Sequence, residues 1–452
     1  MLAEFAIDRV AYQWKISKSI KIAPFRPGAP RNMIKFDHRG PALAVIALSL
    51  SMIASSAAAQ SFTFTGKTAN VAPGQPWDES KGYGFTSLTG GNEQAFSVAA
   101  APGDYRITVT LGGQTASRTS LWAEDRRLLA DPVDLKAGQT KTLSFTVNVR
   151  DTALVQQETD PSPPSVRLRG DDAQGRDWDG RLTLSFSGPS PAFDAVTIAP
   201  VSARRVLLAG DSTVTDQASG DYASWGQMLP RMLSPDISVA NHARSGETMK
   251  SFVTSLRWDK LLSDVRPNDV VLIQFGHNDE KKQWPRTYAA FDQSYPAWLS
   301  AFVADVRQRG GLPVLVTPVA RRTFKGGVIE NSHAGYDDAV RDVARRLNVP
   351  LIDLTRQTTQ FYEALGPEMA AWAFADNHHE KTHHNAYGAY MIACFVARDL
   401  SALPGLDVAA ATDIPACDPA HPSDPKAFVI TPADWPIMRA GVDQGAEPVP
   451  VK

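Results

Sequence analysis

The spacing of apolar positions changes once along the chain, near Ala203. Upstream of it, short segments alternate: in YRITVTLGG, Tyr105, Ile107, Val109 and Leu111 fall on one face, and Arg106, Thr108 and Thr110 on the other, before a Gly-Gly turn. KTLSFTVNV and RLTLSFSG alternate in the same way. Several such segments separated by turn residues predict an all-β sandwich over residues 60–202. The Pro-rich DPSPPS, Asp160 to Ser165, reads as a stiff loop within this half, because strand-like segments resume after it. Downstream, RVLLAG, ISVANHA, VVLIQFG, LPVLVTP and VPLIDL are continuous apolar runs separated by helical stretches. One of these is Tyr295 to Arg309, where Tyr295, Leu299, Phe302, Val303 and Val306 share a face. Such runs predict a parallel sheet covered by helices on both sides, an α/β/α domain over residues 203–402. From Leu403 to the end Pro, Ala and Asp dominate, which predicts an irregular tail, laid over the domain or left partly mobile. No internal repeat is visible.

Length and composition agree with two globular domains: 452 residues, 43% hydrophobic and 21% charged. PALAVIALSLSMIASSAAAQ is the one long apolar run, preceded by basic residues and closed by Ala57, Ala58 and Ala59. It is too short for a bilayer span and predicts a signal peptide cleaved after Ala59; the competing reading is a membrane anchor. Met33 stands where a signal peptide of ordinary length would begin, so residues 1–32 are read as an upstream extension. Cleavage leaves 38 basic against 45 acidic residues, a net charge of −7. No basic stripe remains to bind nucleic acid. The expectation is a secreted or periplasmic monomer with no membrane partner. In an exported chain Cys394 and Cys417 are available to pair, while Cys394 also fits a buried thiol on a helix face with Tyr390, Ala397 and Leu400.

Ligands of open α/β sheets bind beyond the carboxyl ends of the strands, and chemistry collects there in this chain. The first run ends in Gly-Asp-Ser, presenting Ser212, although serine at such a place also serves as a helix N-cap. The second is followed by RSGETMKSF with Gly246, and the third by FGHND with Asn278. The N–H groups of Ser212 and Gly246 and the Asn278 amide are candidate donors to an oxyanion, while a turn glycine and a capping asparagine are the plainer readings. A reactive serine needs a histidine held by a carboxylate. DNHHEKTHHNAYGAY offers Asp376 with His379 and Glu380 with His383. We take His383 as base and Glu380 as its orienter, because that pair directly precedes the last amphipathic helix. The His-rich cluster lacks an H-E-x-x-H pair and cysteine ligands, so no metal or organic cofactor is expected.

Four blocks in order, GDST, SGET, GHND and EKTHHNAYGAY, resemble the SGNH (GDSL) hydrolase superfamily. LAGDSTVTDQ, WGQMLPR, QFGHNDEKK, TPVARR and THHNAYGAY are similar to the rhamnogalacturonan acetylesterases in particular. The resemblance implies a flavodoxin-like catalytic domain and a serine esterase acting on acetylated pectic polysaccharide. Its site residues would be Ser212, Gly246, Asn278 and His383. It also implies that the sandwich is a galactose-binding-like module. Where the superfamily carries Asp three residues before the histidine, this chain has Glu380, which leaves Asp376 or a backbone carbonyl as alternative orienters. A uronate polymer calls for local cations, for which Lys281, Lys282, Arg321 and Arg322 are candidates, with structural ion pairing as the competing reading. His333 is a candidate to cap or line the cleft. Trp77, Tyr83 and Trp122 are candidates for sugar stacking in the sandwich, or for its core. A lipase or thioesterase of the same superfamily, an esterase for acetylated xylan, and a non-catalytic carbohydrate-binding protein are the alternatives.

Overall fold

The computed structural model describes residues 58–430, apart from 88–93, 155–163, 171, 173–174, 219 and 334. The predicted signal peptide and upstream extension, most of the Pro-rich loop and the end of the tail lie outside the described residues.

Among the described residues nine antiparallel strands form the first half: β1 (Gln60–Thr63), β2 (Tyr83–Ser87), β3 (Gln94–Ala99), β4 (Gly103–Gly112), β5 (Ser117–Ala123), β6 (Arg127–Leu135), β7 (Thr140–Val149), β8 (Arg181–Ser190) and β9 (Phe193–Pro200). They make one sheet in the order β1-β9-β4-β7 and another in the order β2-β3-β8-β5-β6. Alternation puts Ile107, Val109 and Leu111 of the first sheet in one core with Phe96, Leu121, Leu184 and Phe186 of the second. Tyr83 joins this core through rings packed on Phe62 and Phe96. Trp122 is fully buried with its indole N–H donating to Ser187 Oγ at 2.9 Å, so it is not the sugar platform considered above. Trp77 lies under the Arg181 guanidinium, 3.8 Å from the ring centroid.

The second half alternates strands and helices: β10 (Arg204–Gly210), α1 (Trp225–Met232), β11 (Ile237–Asn241), α2 (Met249–Thr254), α3 (Arg257–Asp264), β12 (Val270–Gln274), α4 (Ser294–Gln308), β13 (Leu312–Val316), the short hairpin β14 (Phe324–Lys325) and β15 (Val328–Ile329), α5 (Tyr336–Leu347), β16 (Leu351–Ile352), α6 (Leu354–Ala370) and α7 (Ala386–Ala402). The five-stranded sheet runs β11-β10-β12-β13-β16, every pair parallel, which is the flavodoxin-like order. Successive residues of β10 point to opposite faces. Val206 and Leu208 pack toward α1, α6 and α7, whereas Leu207 and Ala209 pack toward α2 to α5. The fifth run keeps only two strand residues because Asp353 caps α6, accepting from the Arg356 N–H.

Packing is continuous across Ala203. Trp122 and Leu128 of the sandwich share a core with α1 and α7, and the described residues cluster as one compact unit. The first part of the tail lies over the domain: Leu406, Val408, Cys417 and Ile430 are buried in that core. A disulfide joins Cys394 of α7 to Cys417.

Candidate active site

Ser212 lies just past the carboxyl end of β10, in a loop held by its own side chains. The Ser212 carbonyl accepts from Gln217 Nε2 at 2.9 Å and from Ser224 Oγ at 2.8 Å. Thr215 Oγ1 donates to the Ala243 carbonyl at 2.9 Å, which joins this loop to the next one. Helix α1 can pack tightly here because residue 226 is glycine; a Cβ would meet the Val214 carbonyl at 2.2 Å. Ser212 as a whole is 8% exposed.

His383 and Glu380 reach this serine from the loop before α7. His383 Nε2 is 2.9 Å from Ser212 Oγ, and His383 Nδ1 is 2.8 Å from Glu380 Oε2. A carboxylate only accepts, so Nδ1–H donates to Glu380 and the Nε2 lone pair accepts from the serine O–H. The other carboxylate oxygen, Oε1, accepts from the Lys381 N–H at 2.6 Å and the Thr382 N–H at 3.1 Å. The hydrogen bond from His383, with help from those two N–H groups, holds the Glu380 carboxyl down at about 2 against the resistance of burial. Asp376 is exposed and takes no part in this chain; its carbonyl accepts from His379 Nδ1 at 2.9 Å.

Gly246 adopts φ +79°, and a Cβ there would meet nothing within 4 Å. Glycine is therefore kept for its left-handed backbone and not for space. Among the described residues the Ser212 and Gly246 N–H groups donate to no protein acceptor. Asn278 Nδ2 donates to the Glu247 carbonyl at 2.9 Å, one residue beyond Gly246, and keeps a second amide hydrogen. Its orientation is fixed by Lys281, whose Nζ donates to Asn278 Oδ1 at 2.9 Å while lying 4.1 Å above the Trp284 ring. Lys281 is thus tied to the amide, and burial lowers its ammonium from the ordinary range.

Arg321 and Arg322 are both engaged by protein groups, and for Arg321 this is the structural ion pairing that stood as the competing reading. Arg321 is 2.6 Å from Glu280, a pairing that sequence reading could not place. Arg322 Nη2 donates to the carbonyls of His378 at 3.1 Å and Glu380 at 3.0 Å, fixing the loop that carries the carboxylate. His333 is buried, with Nδ1 2.8 Å from Glu280 and Nε2 3.1 Å from the Val319 carbonyl. Both ring nitrogens are engaged, so it braces the floor of the site. Lys282 is exposed. Behind the serine, burial pushes His277 down to about 4 and Asp279 up to about 8, so both are neutral near pH 7. His384 is likewise neutral, pushed down to about 3 by burial, with Nε2 2.6 Å from the Tyr362 hydroxyl. Among the described residues no group of three or more His, Cys, Asp or Glu is placed to hold a metal ion, and no helix is long and apolar enough to cross a membrane.

Residues 208–390 match the GDSL-like lipase/acylhydrolase family. The rhamnogalacturonan acetylesterase RhgT of Bacillus subtilis is 37% identical over 214 residues, 44% of this chain and 90% of that protein. The probable rhamnogalacturonan acetylesterase YesY of the same organism is 35% identical over 204 residues, 44% of this chain and 94% of that protein. The crystal structure of protein YXIM from Bacillus subtilis covers 76% of this chain and 98% of its own length at 22% identity, with a TM-score of 0.44.

Proposed function

Because the chain belongs to the GDSL-like lipase/acylhydrolase family and is a serine esterase, we propose that it removes acetyl groups from a carbohydrate, with acetylated rhamnogalacturonan as the preferred polymer. One observation carries the chemistry: the unbroken hydrogen-bond chain from Ser212 Oγ through His383 to Glu380. In this reading His383 Nε2 takes the Ser212 proton as Oγ bonds to the acetyl carbon. The carbonyl oxygen becomes an oxyanion facing the N–H groups of Ser212 and Gly246 and the free amide hydrogen of Asn278. The bond to the sugar oxygen then breaks, and that oxygen leaves with the proton from His383. Water gives a proton to His383 and attacks the acetyl-serine, releasing acetate and restoring the serine hydroxyl. Each step uses side chains, backbone and water. Glu380 stays ionised throughout and stabilises the imidazolium.

The substrate class rests on the names of the relatives, RhgT and YesY. Two further elements of the proposal are export by the predicted signal peptide and a galactose-binding-like role for the sandwich. A second reading, acetylated xylan, is favoured by the pairing of Arg321 with Glu280 and of Arg322 with backbone carbonyls, since a neutral xylan backbone needs no cation. Acetate release from acetylated rhamnogalacturonan and acetylated xylan, by the mature chain and by Ser212→Ala, separates the readings. Faster release from the pectic polymer, lost in the variant, is expected. Faster release from xylan replaces the pectic reading, and release that survives the substitution removes the serine assignment.

A further inference from the structure

The two loops that carry Ser212 and Gly246 are anchored from outside their own domain. The first anchor is Arg127, at the start of β6. Its side chain is 2% exposed, and its Nε donates to Asp216 Oδ2 at 2.6 Å. Its other nitrogens are engaged as well, Nη2 with Asp177 Oδ1 at 2.6 Å and Nη1 with the Asn148 carbonyl at 2.8 Å. Asp216 lies in the Ser212 loop, next to Gln217, whose side chain holds the Ser212 carbonyl. The other Asp216 oxygen accepts from Asn241 Nδ2 at 2.8 Å, at the end of β11. Arg126 Nη2 donates to the Gly220 carbonyl at 3.0 Å, farther along the same loop.

The second anchor is the pair Arg169 and Asp172, before β8. Arg169 pairs with Glu247, which is fully buried and directly follows Gly246. Asp172 pairs with Arg244, two residues before Gly246, at 2.8 Å, and with Arg257 at 2.6 Å. The Arg169 N–H also donates to Asp172 Oδ2 at 3.2 Å, so the pair acts as one clamp. Arg244 N–H in turn donates to the Gly210 carbonyl at 3.1 Å, joining the Gly246 loop to the end of β10. Arg169 and Asp172, both within residues 60–202, therefore engage the residues that flank Gly246 on either side.

We infer that the N-terminal half is a working part of the esterase site: Arg127 and the Arg169–Asp172 clamp are positioning elements that set the Ser212 and Gly246 loops in reactive register. This rests on the assignment of Ser212 and Gly246 in the proposed function. An appended sugar-binding module would act on polymer affinity alone. A positioning module acts on kcat for any ester, including a small neutral one.

The test uses the full mature chain and 4-nitrophenyl acetate. Arg169→Gln suits it, because a side chain 31% exposed tolerates replacement better than buried Arg127. Loss of the clamp should lower kcat about tenfold with KM within about twofold, as expected for a displaced donor and not a lost contact. Arg169→Lys keeps the charge and should recover most of kcat. Asp216→Asn tests the other anchor and should lower kcat in the same way. Arg106→Gln is the comparison: it removes a 2.5 Å ion pair between the halves, to Asp236, beside the amino end of β11 and far from the strand ends that carry the site. It should leave kcat unchanged. Unchanged kcat in both Arg169→Gln and Asp216→Asn overturns the inference, as does a change confined to KM or an equal loss in Arg106→Gln. Wild-type protein inactive on this ester, or activity that survives Ser212→Ala, would instead overturn the proposed function beneath it.

Discussion

Glu380→Gln and Glu380→Ala should differ in a direction that the structure dictates. The carboxyl is held at about 2 against an ordinary 4.5, which at ~1.4 kcal/mol per pH unit is roughly 3 kcal/mol of preference for the ionised form. The side chain is 21% exposed, so solvent screening brings the useful part to ~2 kcal/mol. Losing that support in the transition state costs about thirtyfold in rate, the expectation for alanine. Glutamine should be worse. Oε1 sits where two backbone N–H groups donate, so the amide oxygen takes that place and the NH2 group faces His383 Nδ1. It then donates to Nδ1 and drives the ring proton to Nε2, the tautomer that cannot accept from serine, a loss of ~10⁴-fold where this occurs. Asp376→Asn, on the exposed side of the loop, should stay within about twofold of wild type. The stability effect has a definite sign. A depressed folded value stabilises above 4.5 and is lost as pH falls through about 2, so both Glu380 variants should be less stable than wild type at neutral pH. The assay is kcat for 4-nitrophenyl acetate, with thermal unfolding alongside. Glutamine as active as alanine, or Asp376→Asn as damaged as either, would refute the reasoning.

Gly246→Ala meets no steric obstacle but must hold φ +79°, at a cost of about 1–2 kcal/mol. The shifted N–H should lower kcat at least ~tenfold with little change in KM, read by steady-state kinetics. Asp279 is pushed up to about 8, so the folded chain keeps a proton that the unfolded chain loses above about 4. Wild-type stability should therefore fall between pH 4 and 8 relative to Asp279→Asn, by on the order of 5 kcal/mol in urea unfolding; parallel stability curves would count against a neutral Asp279. Reducing the disulfide, whose cysteines are 23 residues apart, should cost ~3 kcal/mol of stability and leave room-temperature activity intact, since Cys394 lies inside α7, beyond the loop that carries His383. Equal melting temperatures with and without reductant would contradict this.

What the sequence reveals is what local pattern encodes. The run ending in Gly-Asp-Ser reads as a buried strand with chemistry at its carboxyl end, and the three-residue step from Glu380 to His383 places both groups in one loop. The Tyr295 helix forms as its period predicts, with the five named side chains buried. Pairings between distant residues were beyond reach. Arg321 looks like a free cation until folding brings Glu280 to it, and Arg322 until folding brings in the His378 and Glu380 carbonyls. Trp122 reads equally as a candidate for sugar stacking or for the core, because residue type alone does not say what covers the outer face of a sandwich strand. In the folded protein that face packs on the second half, and β5 is buried on both sides. The two anchors of the site loops join residues about eighty or ninety positions apart, so no periodicity announces them.

The central claim is that Ser212 carries the acetyl group during turnover. Acid quenching of the enzyme mixed with excess 4-nitrophenyl acetate, followed by peptide mass spectrometry, tests it directly. The account predicts an acetyl adduct on the peptide containing Ser212 that is absent from Ser212→Ala. An adduct on another residue, or steady release of acetate by Ser212→Ala at the wild-type rate, would contradict it.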